Sequence, residues 1–494
     1  MRKISVTHNT SITIYFLIVF SKNPLYNNFI KYGGFIMKKI ISLMLCMLLL
    51  FSPCLSLVGF AADVQPANSD YTIVSPYEDV IWEGDDAWGA YKGSLHSHTT
   101  YSDASVDLAT MVKEYYNQDY DFLANSDHGV TGVEWNRAPK KVLLYSYQKL
   151  LGYPVAHLTD EEYEAITTGT YPTADGTIRN KKMTCVVGAN ELNNMTLTKS
   201  HVNAFFIPEN VGNGYGGWEN GYEDAVKFTE KHGGLSIINH PGDWLESRSD
   251  ISTVSKEKNI KYFGDIILKY DSCLGIEVFN ETNSVTPYDR ILWDNLLMYT
   301  LPYGKTVIGF SNTDAHTVNN IDSSFNIYMM EENNVENIKE TMQTGASFMV
   351  TRELPCGNDI IGPKEGFDVK NSGLPYPVFT KVAVDGHKIT VKAENAQTVQ
   401  FIANGEVIYS SQIGSGEVTL DLDTIEGAED FQYVRAEVFG EGGMCLTQAL
   451  VIDDEPTEQF EKDKGLLPFI KKVIFTLKSS RLWVIIVELY RIIF

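Results

Sequence analysis

The 494-residue sequence predicts an α/β protein whose parallel strands are numerous enough to close into a barrel, followed by a small all-β unit. Three observations carry this. Short apolar runs alternate with stretches of helical spacing from residue 91 onward, the rhythm of strand–helix repeats. Histidines and carboxylates stand at the ends of those runs, where a parallel sheet gathers its functional side chains. From about residue 375 the period changes to strand-like alternation broken by Asp385-Gly386 and Asn404-Gly405, dipeptides that favour hairpin turns.

Residues 1–62 read as a leader. Met37-Lys38-Lys39 opens a basic start, Ile40 to Phe51 is apolar, and Gly59-Phe60-Ala61-Ala62 supplies small residues for cleavage, the layout of a secretory signal peptide. Leu45 and Pro53 precede Cys46 and Cys54, so neither sits in a lipid-attachment motif. A second apolar stretch, Ile12 to Phe20, has no evident role upstream of a complete signal, and translation is expected to begin at Met37. Removing the leader takes away its six basic residues and moves the net charge from −23 to −29. Such a surface repels phosphate backbones, so nucleic-acid binding is not expected. The remaining cysteines, Cys185, Cys273, Cys356 and Cys445, have no CxxC spacing, which argues against a thiolate zinc site. Cys185, in an apolar run, is expected as a buried free thiol.

Residues 63–90 form a polar and aromatic lead-in. The strand-like runs lie near Leu95 and at 121–125, 184–189, 202–207, 235–238, 275–279 and 306–310. Helical spacing marks 107–118, 222–232 and 290–301. Residues 134–182 interrupt the rhythm after the second strand and read as an insertion, a lid or specificity wall. A helix, a glycine turn and a strand follow at 335–352, and 375–453 is predicted as a β-sandwich. An acidic linker, 454–465, leads to a tail, 466–494. The tail places Lys471, Lys478, Arg481, Glu488 and Arg491 along one helix face, opposite Ile474, Leu477, Trp483 and Ile485. That is too many charges for a spanning helix and suits one lying on a membrane surface.

The strand ends carry the chemistry. "YKGSLHSHTTYSDAS" holds His96, His98 and Asp103. "FLANSDHG" adds Asp127 and His128, "VVGANELNN" Glu191, "KSHVNAFF" His201, "SIINHPGDW" His240 and "GFSNTDAHT" Asp314 and His316. Six of the ten histidines fall at these places. One such histidine is unremarkable as a structural residue; the set is a metal-ligand pattern.

In order, the HxH…D opening, the SDH, the Glu191 motif, the NHP and the closing DxH resemble the PHP (polymerase and histidinol phosphatase) superfamily of metal hydrolases over residues 91–352. "GIEVFN", "TGASFMVT" and the following β-unit are most similar to its carbaryl-hydrolase-like (CehA/McbA) branch. The resemblance implies a distorted (β/α)7 barrel with three divalent ions. His96, His98, Glu191 and Asp314 would hold the first. Glu191 would bridge to a second held by His201 and His240, and Asp103, His128 and His316 would hold the third. Mixed imidazole and carboxylate ligands suit Zn, Mn or Fe. The nucleophile would be hydroxide bridging the ions, with Glu191 and Asp314 as carboxylates of the site. Asp127 and Glu277 are candidates to orient ligands from behind, and Lys199 and Arg248 to bind an anionic substrate group. The expected activity is phosphoester hydrolysis on an exported, small-molecule-directed enzyme. A carboxylic or carbamic ester hydrolase using the same site, and a non-catalytic surface binding protein stabilised by metal, are the alternatives.

Overall fold

In a computed structural model, the structure describes residues 71–140, 148–192, 200–214, 221–245, 251–280, 288–353, 372–414, 416–452 and 456–460. The leader, the tail, Cys356, Lys199 and Arg248 lie outside them.

Nineteen strands are described: β1 (Ile73–Val74), β2 (Gly89–Ser94), β3 (Phe122–Leu123), β4 (Thr184–Cys185), β5 (Asn190–Leu192), β6 (Val202–Phe205), β7 (Leu235–Ile238), β8 (Cys273–Asn280), β9 (Ile308–Asn312), β10 (Ser324–Met330), β11 (Ser347–Thr351), β12 (Val378–Asp385), β13 (Lys388–Glu394), β14 (Thr398–Ala403), β15 (Glu406–Gln412), β16 (Glu417–Asp421), β17 (Tyr433–Gly440), β18 (Gly443–Thr447) and β19 (Leu450–Ile452). They form three sheets. One runs β5-β6-β7-β8-β9; a second is β12-β13-β16. The third runs β1-β19-β17-β18-β11-β10-β2-β3-β4, with β14 paired to β17 and β15.

The expected parallel α/β core is present, with β2-β3-β4 and β7-β8-β9 parallel. It is not one closed ladder among the described residues. The pairing stops between β4 and β5 and between β9 and β10, so the strands expected to form a barrel divide between two open sheets. Nor do the strands of 375–453 stand apart as a sandwich. β18 pairs antiparallel with β11, register Met349↔Leu446, so one of its two layers continues the sheet of the α/β core. The second layer, β12-β13-β16, contributes Val382, Ile389, Val391 and Leu420 to a single apolar core that also holds Tyr115, Phe325 and Phe401.

Local chemistry fixes the element ends. The helix Leu108–Asn117 begins where Asp107 accepts the Thr110 amide at 2.8 Å, and it buries Leu108, Met111, Val112 and Tyr115 on one stripe. The helix Asp160–Thr168 starts in a Thr159/Glu162 capping box and stops at Gly169 in the left-handed region. Gly93 is needed for packing: a Cβ there would fall 1.9 Å from the Phe122 ring. At the β14–β15 hairpin, Asn404 (φ 50°) and Gly405 (φ 83°) take up the left-handed turn that the sequence predicts.

The 134–182 insertion is not a surface decoration. Trp135, Leu158 and Ile166 are buried in the main core, and Gln148 donates to the Ser102 carbonyl at 2.9 Å. At the far side, fully buried Arg435 on β17 grips Asp294 of the helix Asp289–Thr300 through two 2.7 Å bonds, and Glu437 at 2.5 Å. Cys185, Cys273 and Cys445 are buried free thiols.

Candidate metal centre

All nine residues marked as ligands by sequence meet at one end of the parallel strands. His96 and His98 follow β2, His128 follows β3, His240 follows β7, and Asp314 and His316 follow β9. Glu191 lies on β5. His201 precedes β6, but β6 runs antiparallel to β7, so its start lies beside the end of its neighbour; the Asn239 amide donates to the His201 carbonyl at 3.0 Å.

The centre of the cluster is a crowd of acceptors. His96 Nε2 lies 3.3 Å from Glu191 Oε1 and 3.2 Å from Asp314 Oδ1. His98 Nε2 lies 3.1 Å from Glu191 Oε2 and 2.9 Å from Asp314 Oδ1. The two Nε2 atoms face each other at 3.2 Å. Four ligands at about 2.1 Å around a tetrahedral ion stand about 3.4 Å apart, close to these separations. Around this group, Glu191 reaches His128 Nδ1 at 2.9 Å, His201 Nδ1 at 3.1 Å and His240 Nε2 at 3.4 Å. Asp103 reaches His316 Nε2 at 3.2 Å, His128 Nε2 at 3.5 Å and His98 Nδ1 at 3.7 Å.

Three donor groups are compact enough for an ion each: His96, His98, Glu191 and Asp314; His128, Glu191 and His201; and His98, Asp103, His128 and His316. The first matches the set implied by resemblance. The second differs from it: His128 stands with Glu191 and His201, whereas His240 lies between Glu191 and Asp314, 3.8 Å from the latter.

The donors fit divalent cations. Glu191 Oε2 and Asp314 Oδ1 are buried, and the neighbours facing them at 2.9–3.1 Å are imidazole nitrogens, donors that a divalent cation would share with them. The site's own imidazoles supply the only positive charge among these side chains. Burial opposes that charge, yet Asp314, Glu277 and Glu191 together hold the His96 imidazolium well above the usual range. Burial likewise opposes charge on His98, where Asp314 and Glu191 prevail and raise it well above that range. His240 is pushed up to about 9, Glu191, Asp314 and Glu277 outweighing its burial. Burial resists ionisation of Glu191 and Asp314 too, but the surrounding histidines hold both carboxyls well below the usual range. His201 goes the other way, lowered by burial.

Two ligands sit on strained backbone: His240 at φ 29° and Asp314 at φ 51°. Non-glycine residues occupy the left-handed region at a cost, and functional sites are where that cost persists. The open edge is formed by Asp103 and His316, each with a side chain 33% exposed, against none for His96 and His98.

Behind the ligands stand residues that hold them. Glu277 Oε1 accepts from His96 Nδ1 at 2.8 Å. Asp127 touches no imidazole directly; it accepts from the Thr99 amide (2.7 Å), the Thr99 hydroxyl (2.8 Å) and the Ser102 hydroxyl (2.7 Å). With its proton given to Asp127, Ser102 Oγ accepts from His98 Nδ1 at 3.3 Å, leaving Nε2 free to face the cluster. Asn239 donates to Glu191 Oε1 at 2.9 Å. Ser102, Asn239 and Asn312 are absent from any reading of the sequence, because a hydroxyl or amide beside a ligand looks like an ordinary turn residue.

No protein-family model matches the chain, and no curated protein matches it. Similar solved structures include a two-domain protein from Bacteroides vulgatus containing a predicted PHP-like metal-dependent phosphoesterase. It is 14% identical, with 76% of this chain and 99% of that one covered at TM-score 0.38. PsfC from Pseudomonas syringae is 14% identical over 49% and 83% of the two chains at TM-score 0.27. The lesion-specific endonuclease PfuEndoQ from Pyrococcus furiosus is 13% identical over 52% and 56% at TM-score 0.29. Scores of this size decide nothing about activity. The side chains themselves establish a mixed α/β protein with a His/Asp/Glu cluster compatible with divalent metal.

Proposed function

We propose that the chain is an exported metal-dependent hydrolase of the PHP type, acting on phosphoesters at a site for three divalent ions. The observation that carries this is the acceptor crowd at His96, His98, Glu191 and Asp314. Bound ions would supply Lewis acidity and make water acidic enough to attack near neutral pH. The chain's residues set what the site accepts. Even counting Glu277 and Asp127 behind them, the five carboxylates of the site (Asp103, Asp127, Glu191, Glu277, Asp314) with neutral imidazoles carry less charge than three divalent cations. The loaded site is therefore electropositive and complements an anionic phosphate better than a neutral ester. Asp103 and His316 form the edge from which substrate approaches.

The barrel closure and the CehA/McbA branch, on which an ester or carbamate hydrolase would rest, belong to the same proposal. So does export through residues 37–62, with membrane-surface contact through 466–494. Among the described residues no helix is long and apolar enough to cross a membrane. The test is a panel of a phosphomonoester, a phosphodiester and an aryl ester, run on chelator-treated protein before and after adding Zn²⁺, Mn²⁺ or Fe²⁺. Metal-restored turnover of a phosphoester is expected. Turnover of the aryl ester alone would favour the ester hydrolase, and metal uptake with no turnover the binding protein.

A further inference from the structure

Glu277 does more than accept one proton from one ligand. It is completely buried in the middle of β8, where a strand between two parallel neighbours needs no charge. Its carboxylate receives four donors. Oε1 takes His96 Nδ1–H at 2.8 Å and the Asn312 amide at 3.0 Å. Oε2 takes the His240 backbone N–H at 3.0 Å and the Asn280 amide at 2.8 Å. One oxygen thus fixes the ring of the ligand after β2, and the other fixes the main chain of the ligand after β7.

Both tasks bear on geometry that does not hold itself. A neutral imidazole offers a metal only the nitrogen that is not protonated. A carboxylate at Nδ1 commits His96 to presenting Nε2 toward His98, Glu191 and Asp314. His240 sits at φ 29° and must be held there. Asn312 Oδ1 in turn accepts the Leu95 amide at 3.0 Å, so the segment leading into His96 is tied to the same carboxylate through one residue.

We propose that Glu277 is a positioning residue that couples His96, of the first donor group, to His240, which stands beside Glu191 and Asp314 of that group, so that losing its charge disables both together. This rests on the cluster being a metal centre. A residue serving only to fill the core would lower stability without changing the metal count of each folded molecule.

The test uses mature protein stripped of metal and titrated with Co²⁺ alone. Bound metal is counted by mass spectrometry and ligand geometry is followed by visible absorption. Wild type, Glu277→Gln and Glu437→Gln are compared. The last removes a buried charge whose partners, Arg435, Arg290 and Gln400, are not among the nine cluster residues, and controls for lost stability. Glu277→Gln is expected to bind at least one fewer ion. Its remaining affinity should fall about 10- to 100-fold, the usual loss on removing a group behind a ligand, with altered absorption bands, while Glu437→Gln keeps the wild-type count and spectrum. Unchanged count, affinity and spectrum in folded Glu277→Gln overturn the coupling and leave the metal centre standing. No Co²⁺ on wild type overturns both. If Glu277→Gln does not fold, Glu277→Asp serves: its carboxylate is one methylene too short to span both ligands, so undiminished loading overturns the proposal equally.

Discussion

Filling the centre with metal should expel protons. In the metal-free protein His96 and His98 are held well above the ordinary histidine range and His240 at about 9. Near pH 7 these three rings are charged, balancing Glu191, Asp314 and Glu277. Each must lose a proton to become a ligand. Uptake at pH 7 should therefore release protons, and each one released makes the apparent affinity rise about tenfold per pH unit. Stability runs the opposite way in the metal-free protein. A histidine whose folded value exceeds the unfolded 6.5 stabilises fully below about pH 6.5. That contribution is lost as pH rises, through about 9 for His240. The stripped protein should thus weaken between pH 7 and 9 while the loaded one does not. Calorimetric titration with Mn²⁺ or Zn²⁺ in buffers of different ionisation enthalpy counts the protons, and thermal melts follow the stability. Uptake without proton release, with affinity flat from pH 6.5 to 8.5, would refute the charge balance assigned to the cluster.

Asp314→Ala should abolish turnover and lower metal content while the far-ultraviolet circular dichroism stays native, since Asp314 touches both His96 and His98; full activity after chelation would contradict this. Arg435→Met should cost about 3–5 kcal/mol in urea unfolding, because Asp294 is left buried with its charged partner gone, while Glu437 keeps only Arg290 and Gln400. Deleting 134–182 should change substrate preference and also lower the melting temperature by exposing the partners of Trp135, Leu158 and Ile166; a melt identical to wild type would show the insertion to be dispensable. Chain ending before Gly465 should bind anionic vesicles less than the full chain in a sedimentation assay, and equal binding would reject the membrane-facing tail.

The convergence of the nine His, Asp and Glu side chains was legible because each follows or opens an apolar run, and strand ends in a parallel sheet converge. The helices 107–118, 222–232 and 290–301 were legible from their apolar spacing and lie within a residue of the observed bounds at either end. The helix Glu257–Lys269 was not, since its lysines, Glu257 and Asp265 hide a stripe of Phe263, Ile266 and Ile267. Nor was β10, whose seven residues are all buried and carry no alternation to betray a strand. Periodicity reports faces and never partners. It could count strands but could not reveal that β18 joins β11, or that the ladder breaks beside β5 and β9. The grouping of His128 with Glu191 and His201 was hidden for the same reason.

The pairing of β1 with β19 has a consequence for how the molecule forms. β1 pairs with β19, Ile73 opposite Ile452, and the Tyr77 hydroxyl takes the Gln448 amide from 371 residues away. A sheet closed by such distant partners has a high contact order and forms slowly. Because β18 lies against β11, that strand, paired early with β10, finds its second neighbour only after nearly the whole chain has been made. A nascent molecule therefore has no complete core to commit to early. Slow closure is a hazard for a protein folding where it is synthesised; for the exported enzyme proposed above it would be useful timing, keeping the chain threadable until its last strands emerge.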